Sequence, residues 1–255
     1  MIQSFNPPQR AVVNTVITKK LFMDQIKLTP TEKKLIRDDI SSIHMRIVLQ
    51  PQTIGLMEYE TDEYQFKQIV VSEIVLNRQN ACFALAKLLQ QAFPYPLILL
   101  LKYGEEYMVN WAEKRINLAD KTKRVVENLE FTRWINPANT DSVTKDFLNS
   151  LDITKPQCNN LKELFDILKN RFYMLSVADE TGNYIEATPD NILYYREQMT
   201  LLTQNREEQK NIIEALKNET QFNIKLKLSC ELKELQNFEY LIINNFKTHE
   251  LSCIK

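Results

Sequence analysis

Glycine is almost missing from this chain of 255 residues: Gly55, Gly104 and Gly182 are the complete set, where average usage would supply about eighteen. Loops that cradle phosphates or dinucleotides need a close backbone approach that glycine permits, so a nucleotide-binding loop of that kind is excluded. Histidine is scarcer still. His44 falls in a strand pattern and His249 near the C-terminus, and without a GxSxG motif neither suggests a hydrolase triad. Cys82, Cys158, Cys230 and Cys253 stand far apart with no CxxC pair, so a structural zinc site is not expected and free thiols in a reducing cytoplasm are. The longest apolar run, Leu97–Leu101, is too short to cross a bilayer, and MIQSFNPPQR has no signal-peptide core. Charge of one sign is missing as well: 32 Lys and Arg against 33 Asp and Glu give −1. That excludes a generally basic nucleic-acid binder and leaves room for a local patch.

What is present is a two-sided strand pattern with one acid in it. In Tyr64–Asn77, YQFKQIVVSEIVLN, both alternating faces are apolar, and Glu73 shares the face of Ile69, Val71 and Val75. An unpaired charge buried there costs several kcal/mol, on the order of a domain's whole stability, so Glu73 requires a partner. Around it, Thr29-Pro30-Thr31-Glu32 is a capped helix start, with the helix running to about Ser42. His44–Leu49 and Ile54–Glu60 read as strands, Gln79–Ala92 as an amphipathic helix stopped by Pro94 and Pro96, and LILLLKY as a strand buried on both faces. Tyr107–Glu113 and Val125–Trp134 are further strands, separated by a basic loop carrying Lys114, Arg115, Lys121, Lys123 and Arg124.

This order predicts an α/β (or α+β) mixed sheet with flanking helices over residues 1–135. A polar linker with a short helix follows over 136–158, then a helical region over 159–255. Asn160–Leu175 carries a clean apolar stripe, and Thr188-Pro189 opens a helix reaching about Leu202. From Glu207 to Phe246, Leu228, Leu235 and Ile242 recur seven apart, as in a helical hairpin or a short coiled-coil arm. The arm carries nine basic and ten acidic residues over 190–255. That balance favours a protein partner over nucleic acid, with packing on the protein's own sheet as the alternative.

Five collinear segments resemble the bacterial domain-of-unknown-function family 4391. NTVITKKLF is similar to its opening segment, with Thr18 where proline is usual. IHMRIVLQPQTI keeps Leu49, Pro51 and Thr53 of a strand–turn pattern, and SEIVL keeps Glu73 and Ile74 but places Val75 at a glutamine position. FPYPLILLLKYGEEY resembles the family's Ile-Pro-Tyr-Pro strand entry, and KNETQFNIKLKLSCELKELQ carries its Gln-Phe-Asn signature at Gln221, Phe222 and Asn223. The resemblance implies a helicase- and methyltransferase-associated, restriction-like setting. There the chain would act as a non-catalytic accessory subunit without a cofactor, in an antiviral or restriction-like system. Gln221, Phe222, Leu228, Leu235 and Ile242 would hold a partner such as the helicase, and the basic loop would contact nucleic acid.

The competing reading is a metal-dependent nuclease. Helix–strand–strand–strand–helix–strand over 30–103 is the order of a PD-(D/E)xK core, in which acids on the second and third strands and a lysine two residues on hold Mg²⁺ and activate water. Glu73 fits the third strand and Glu58 or Glu60 the second. Val75 stands where the lysine belongs, leaving Lys87 on the next helix as a relocated substitute, or else a degenerate scaffold. The bland reading, which the residues favour, is a structural Glu73 paired with a nearby Arg, Lys or backbone amide.

Overall fold

The computed structural model describes residues 1–25, 28–121, 123–139 and 141–253. They form two compact units, Met1–Ser176 and Val177–Lys255. The first is built on a six-stranded mixed sheet in the order β1-β2-β5-β6-β7-β8. Its strands are β1 (Val12–Ile17), β2 (Ile40–Leu49), β5 (Ile69–Leu76), β6 (Leu97–Tyr103), β7 (Glu106–Ile116) and β8 (Arg124–Phe131). β5 and β6 are parallel and every other neighbouring pair is antiparallel. A parallel pair needs a crossover, and α4 (Cys82–Ala92) supplies it.

Both faces of the sheet are covered, which is why β5 and β6 read as continuous apolar runs. On one face Val70, Ile74, Leu97, Leu99 and Leu101 pack with Leu85 and Leu89 of α4 and with Ile36 of α2 (Pro30–Asp39). α2 begins with the expected capping box, in which the Thr29 hydroxyl accepts from the Glu32 amide and the Glu32 carboxylate accepts from the Thr29 amide at 2.8 Å. It stops at Asp39, before the expected Ser42, because Ile40 already pairs with Leu76. On the other face Trp111 meets Phe172 with ring centroids 5.2 Å apart, and Phe172 meets Phe5 edge-on at 6.4 Å. Phe172 belongs to α6 (Leu161–Thr181), which also reaches the sheet through an ion pair from Lys169 to Glu113. Burial alone would lower the Lys169 amine, yet Glu113 and Asp166 hold it above its ordinary value.

Two strand expectations are corrected. Pro51–Ile54, inside the expected strand Ile54–Glu60 and its approach, forms a short helix, α3, which Pro51 opens and Gly55 closes at φ 77°. Glycine adopts that left-handed backbone without strain. What remains is β3 (Tyr59–Glu60), paired with β4 (Gln65–Phe66) in a separate two-stranded ribbon. Tyr64–Asn77 is therefore divided between ribbon and sheet. The edge strand β1 and the helix α1 (Lys19–Gln25) were not anticipated, because β1 is exposed and its apolar residues do not alternate cleanly.

The second unit contains α7 (Pro189–Asn218) and α8 (Phe222–Cys253), joined by a three-residue turn. α7 continues through the expected break after Leu202 because no proline or glycine interrupts it. The helices run antiparallel: Tyr195 stacks on Phe246 with centroids 5.9 Å apart, and Arg206 donates to Glu239 at 2.7 Å. No helix among the described residues is long and apolar enough to cross a membrane.

Phe172 joins α6 to the sheet through rings on both sides. Phe172→Ala should cost about 3–5 kcal/mol, measured as a drop in the urea midpoint without a change in slope.

Candidate functional site

Strand alternation places Glu73 on the face of the sheet opposite α4, directly across from His44 on β2 and Leu100 on β6. The side chain is 6% exposed and its charge is matched by Arg46, whose guanidinium donates to Oε1 at 2.5 Å. Arg46 lies where the β2–β5 register slips between Met45 and Ile47. Alternation from His44, which faces Glu73 across the ladder, puts Arg46 on the same side of the sheet, within reach of the carboxylate. A second guanidinium nitrogen donates to Asn14 Oδ1 at 3.3 Å. Asn14 holds φ 48° where β1 slips against β2, a conformation asparagine tolerates better than most residues. The other carboxylate oxygen accepts from the Tyr107 hydroxyl at 3.2 Å. Burial and then the charge of Glu73 push the Tyr107 phenol above its ordinary range, so it stays protonated and donating. Lys102 lies 5.5 Å from the Tyr107 ring centre.

The other nuclease candidates do not join this group. Glu58 is exposed between β-bridge residue Met57 and β3, and Glu60 sits in the ribbon, where it accepts from Gln65 at 2.5 Å and pairs with Lys67 at 3.6 Å. Both fell on the expected strand that became α3 and the ribbon. Lys87 is exposed on α4, across the sheet from Glu73. Both Glu73 oxygens are taken by protein donors, and no group of three His, Cys, Asp or Glu side chains able to hold a metal forms among the described residues. The donor set around Glu73 does not fit a divalent cation.

The expected basic loop is shorter than its sequence suggests, since β7 runs to Ile116 and takes in Lys114 and Arg115. Lys114 is buried on the α4 face, donating to the carbonyls of Phe93 at 2.7 Å and Tyr95 at 2.9 Å. Both carbonyls lie in the connection between α4 and β6, outside helix and sheet ladder. Lys114 supplies their donors and has no place on a phosphate-binding surface. Arg115 pairs with Glu127 at 3.1 Å, and Lys123 with Asp120 at 3.0 Å. Arg124 donates to Gln65 at 2.7 Å. Lys121 and Arg124 meet Glu60, Asp62 and Gln65 in a cleft of about 620 Å³, so ribbon and loop come together with both signs of charge present.

In the second unit Leu228, Leu235 and Ile242 lie on the side of α8 that meets α7. Leu235 lines a groove with Glu208 and Ile212 of α7, Glu239 bonds to Arg206 and Gln209, and Ile242 is buried. The heptad stripe is the hairpin's own seam. Gln221 and Phe222 open α8 in solvent, Phe222 at 76% exposed.

A family model described as a domain of unknown function, DUF4391, matches residues 5–238. The chain belongs to the DUF4391 family. No curated protein and no solved structure matches it. Arg46, Asn14 and Tyr107, which organise the Glu73 cluster of this DUF4391 chain, escaped the sequence reading. The demand for a partner was visible at Glu73, but its identity depended on pairing across four strands.

Arg46→Met would leave Glu73 buried and unpaired, at an expected cost of about 3–5 kcal/mol. Adding Glu73→Gln should recover most of that loss in a double-mutant cycle read by chemical denaturation.

Burial lowers the Lys114 amine to about 7 from its ordinary value of 10.5. A lowered lysine binds fewer protons folded than unfolded, so its contribution to stability rises with pH between those values. The gain from pH 7 to 9 is about 2 kcal/mol, and Lys114→Met should lack it when unfolding is measured at both pH values.

Proposed function

We propose that this chain is a non-catalytic accessory subunit that binds a protein partner through the α7–α8 hairpin. The observation that carries the reading is the outer half of that hairpin. From Arg206 to Leu241 no side chain is fully buried. Phe222, Leu226, Tyr240 and Leu241 are 56–76% exposed. Helices draw most of their stability from a packed apolar face, and this half of the hairpin leaves several large apolar side chains without one. The Glu73 cluster supports the non-catalytic half of the proposal, because Arg46 and Tyr107 occupy the carboxylate. The wider setting, a helicase-containing antiviral or restriction-like system in the cytoplasm, rests on the family resemblance. Contact of the sheet unit with nucleic acid would fall to Lys121 and its neighbours in the ribbon cleft.

The test is co-expression of the tagged chain with the genes that flank it. A stoichiometric protein partner should co-purify, and Phe222→Ser, Leu226→Ser, Tyr240→Ser and Leu241→Ser together should abolish its capture while leaving the far-ultraviolet circular dichroism unchanged. Retention of the partner by the quadruple variant would overturn the hairpin assignment. DNA and RNA incubated with the purified chain and Mg²⁺ or Mn²⁺ should remain intact. Cleavage that disappears in Glu73→Gln would return the nuclease reading.

A further inference from the structure

Within the outer hairpin one stretch of surface has a distinct chemistry. Glu208 and Ile212 of α7, with Glu231, Glu234, Leu235 and Phe238 of α8, line a groove of about 390 Å³. Its floor is apolar, and Phe238 is 45% exposed. Every charged side chain lining it is a glutamate. Lys227 approaches Glu231 at 3.9 Å, a long contact that leaves most of the acidic rim uncompensated. Arg206, on the same helix as Glu208, is already shared between Glu180 and Glu239.

We infer that this groove receives a basic amphipathic helix from the partner protein. The inference rests on the hairpin being the partner-binding element and names what the partner presents there. Two antiparallel helices close only one side of their common seam, and a third helix completes the bundle by laying its apolar stripe along the open side. On α8 the lining runs from Glu231 to Phe238, about 10 Å at the α-helical rise, which fits two turns of an occupant helix. Charge selects among the possible occupants. A second copy of this chain, related by a two-fold axis, would bring the same patch against itself and set three glutamates against three. Nucleic acid would bring phosphates to the same carboxylates. A helix with Lys or Arg flanking its apolar stripe meets both the floor and the rim.

The test uses the full chain and two fluorescein-labelled peptides that share one leucine stripe at i, i+3, i+4 and i+7. One carries lysine on its polar face and the other glutamate. The lysine peptide should bind saturably near physiological salt, and the glutamate peptide should not bind. Glu208→Gln/Glu231→Gln/Glu234→Gln should weaken the lysine peptide about tenfold, as expected for the loss of several exposed charge pairs. Phe238→Ser should weaken it by at least as much with helicity unchanged. Equal binding of both peptides, no binding of either, or full affinity in the triple glutamine variant overturns the inference. So does a chain that sediments as a dimer and becomes monomeric in Phe238→Ser, which would make the occupant a second copy. These failures are separable from failure of the hairpin reading. If the lysine peptide does not bind but the co-expressed partner is still lost from the quadruple serine variant, the hairpin remains the docking element and its occupant is not basic.

Discussion

A carboxylate on a strand covered on both faces must be neutralised or the sheet cannot close around it, and that constraint organises the centre of the first unit. β5 has helices beyond both faces, and Glu73 is its one acid. Arg46 answers the charge from the same side of β2 as His44, and the ladder slips by a residue at that point. β1 slips as well, where Asn14 takes a left-handed backbone and accepts from the same guanidinium. Tyr107 closes the remaining carboxylate oxygen from β7. One buried charge thus draws on four strands of the sheet.

The same constraint separates this site from the metal centre that its strand order suggested. A divalent cation at such a place needs several oxygen donors converging on it. Here the positive charge is carried by a side chain tied to the sheet, and of the acids that might have completed a ligand set Glu60 stands on the ribbon and Glu58 just before it. α3 is the cause of that displacement. Once Pro51 and Gly55 turn the chain into a short helix, Glu58 and Glu60 cannot share a ladder with Glu73.

Legibility from sequence followed the strength of the local signal. The capping box at Thr29, the crossover helix ended by Pro94 and Pro96, and the continuous apolar runs of β5 and β6 were all readable, because each is decided by adjacent residues and by burial on both faces. β1 was not, since an exposed edge strand needs no apolar alternation. Lys114 was misplaced in a loop because a lysine among basic neighbours looks solvated. Its true environment is set by two proline-preceding carbonyls some twenty residues away. The requirement for a partner at Glu73, and an arginine, lysine or amide as its type, could be inferred, whereas the choice of Arg46 depended on which strand lies beside β5, which no local pattern records.

The two units differ in how their stability is secured, and this bears on what each can do. In the first, aromatic rings and an ion-pair network on α6 bind sheet to helix, and the Glu73 cluster ties four strands together. In the second, the buried side chains among the described residues of the hairpin lie in the half that holds Tyr195, Leu202, Ile242 and Phe246. The seam beyond them is at best half-buried. Helices in that condition sit near the low-stability end of a structure, so a docking helix would gain from covering the apolar floor and from ordering what it covers. Part of that gain is lost as conformational entropy, which favours an interaction whose strength is set by a few central residues such as Phe238 and whose selectivity comes from charge.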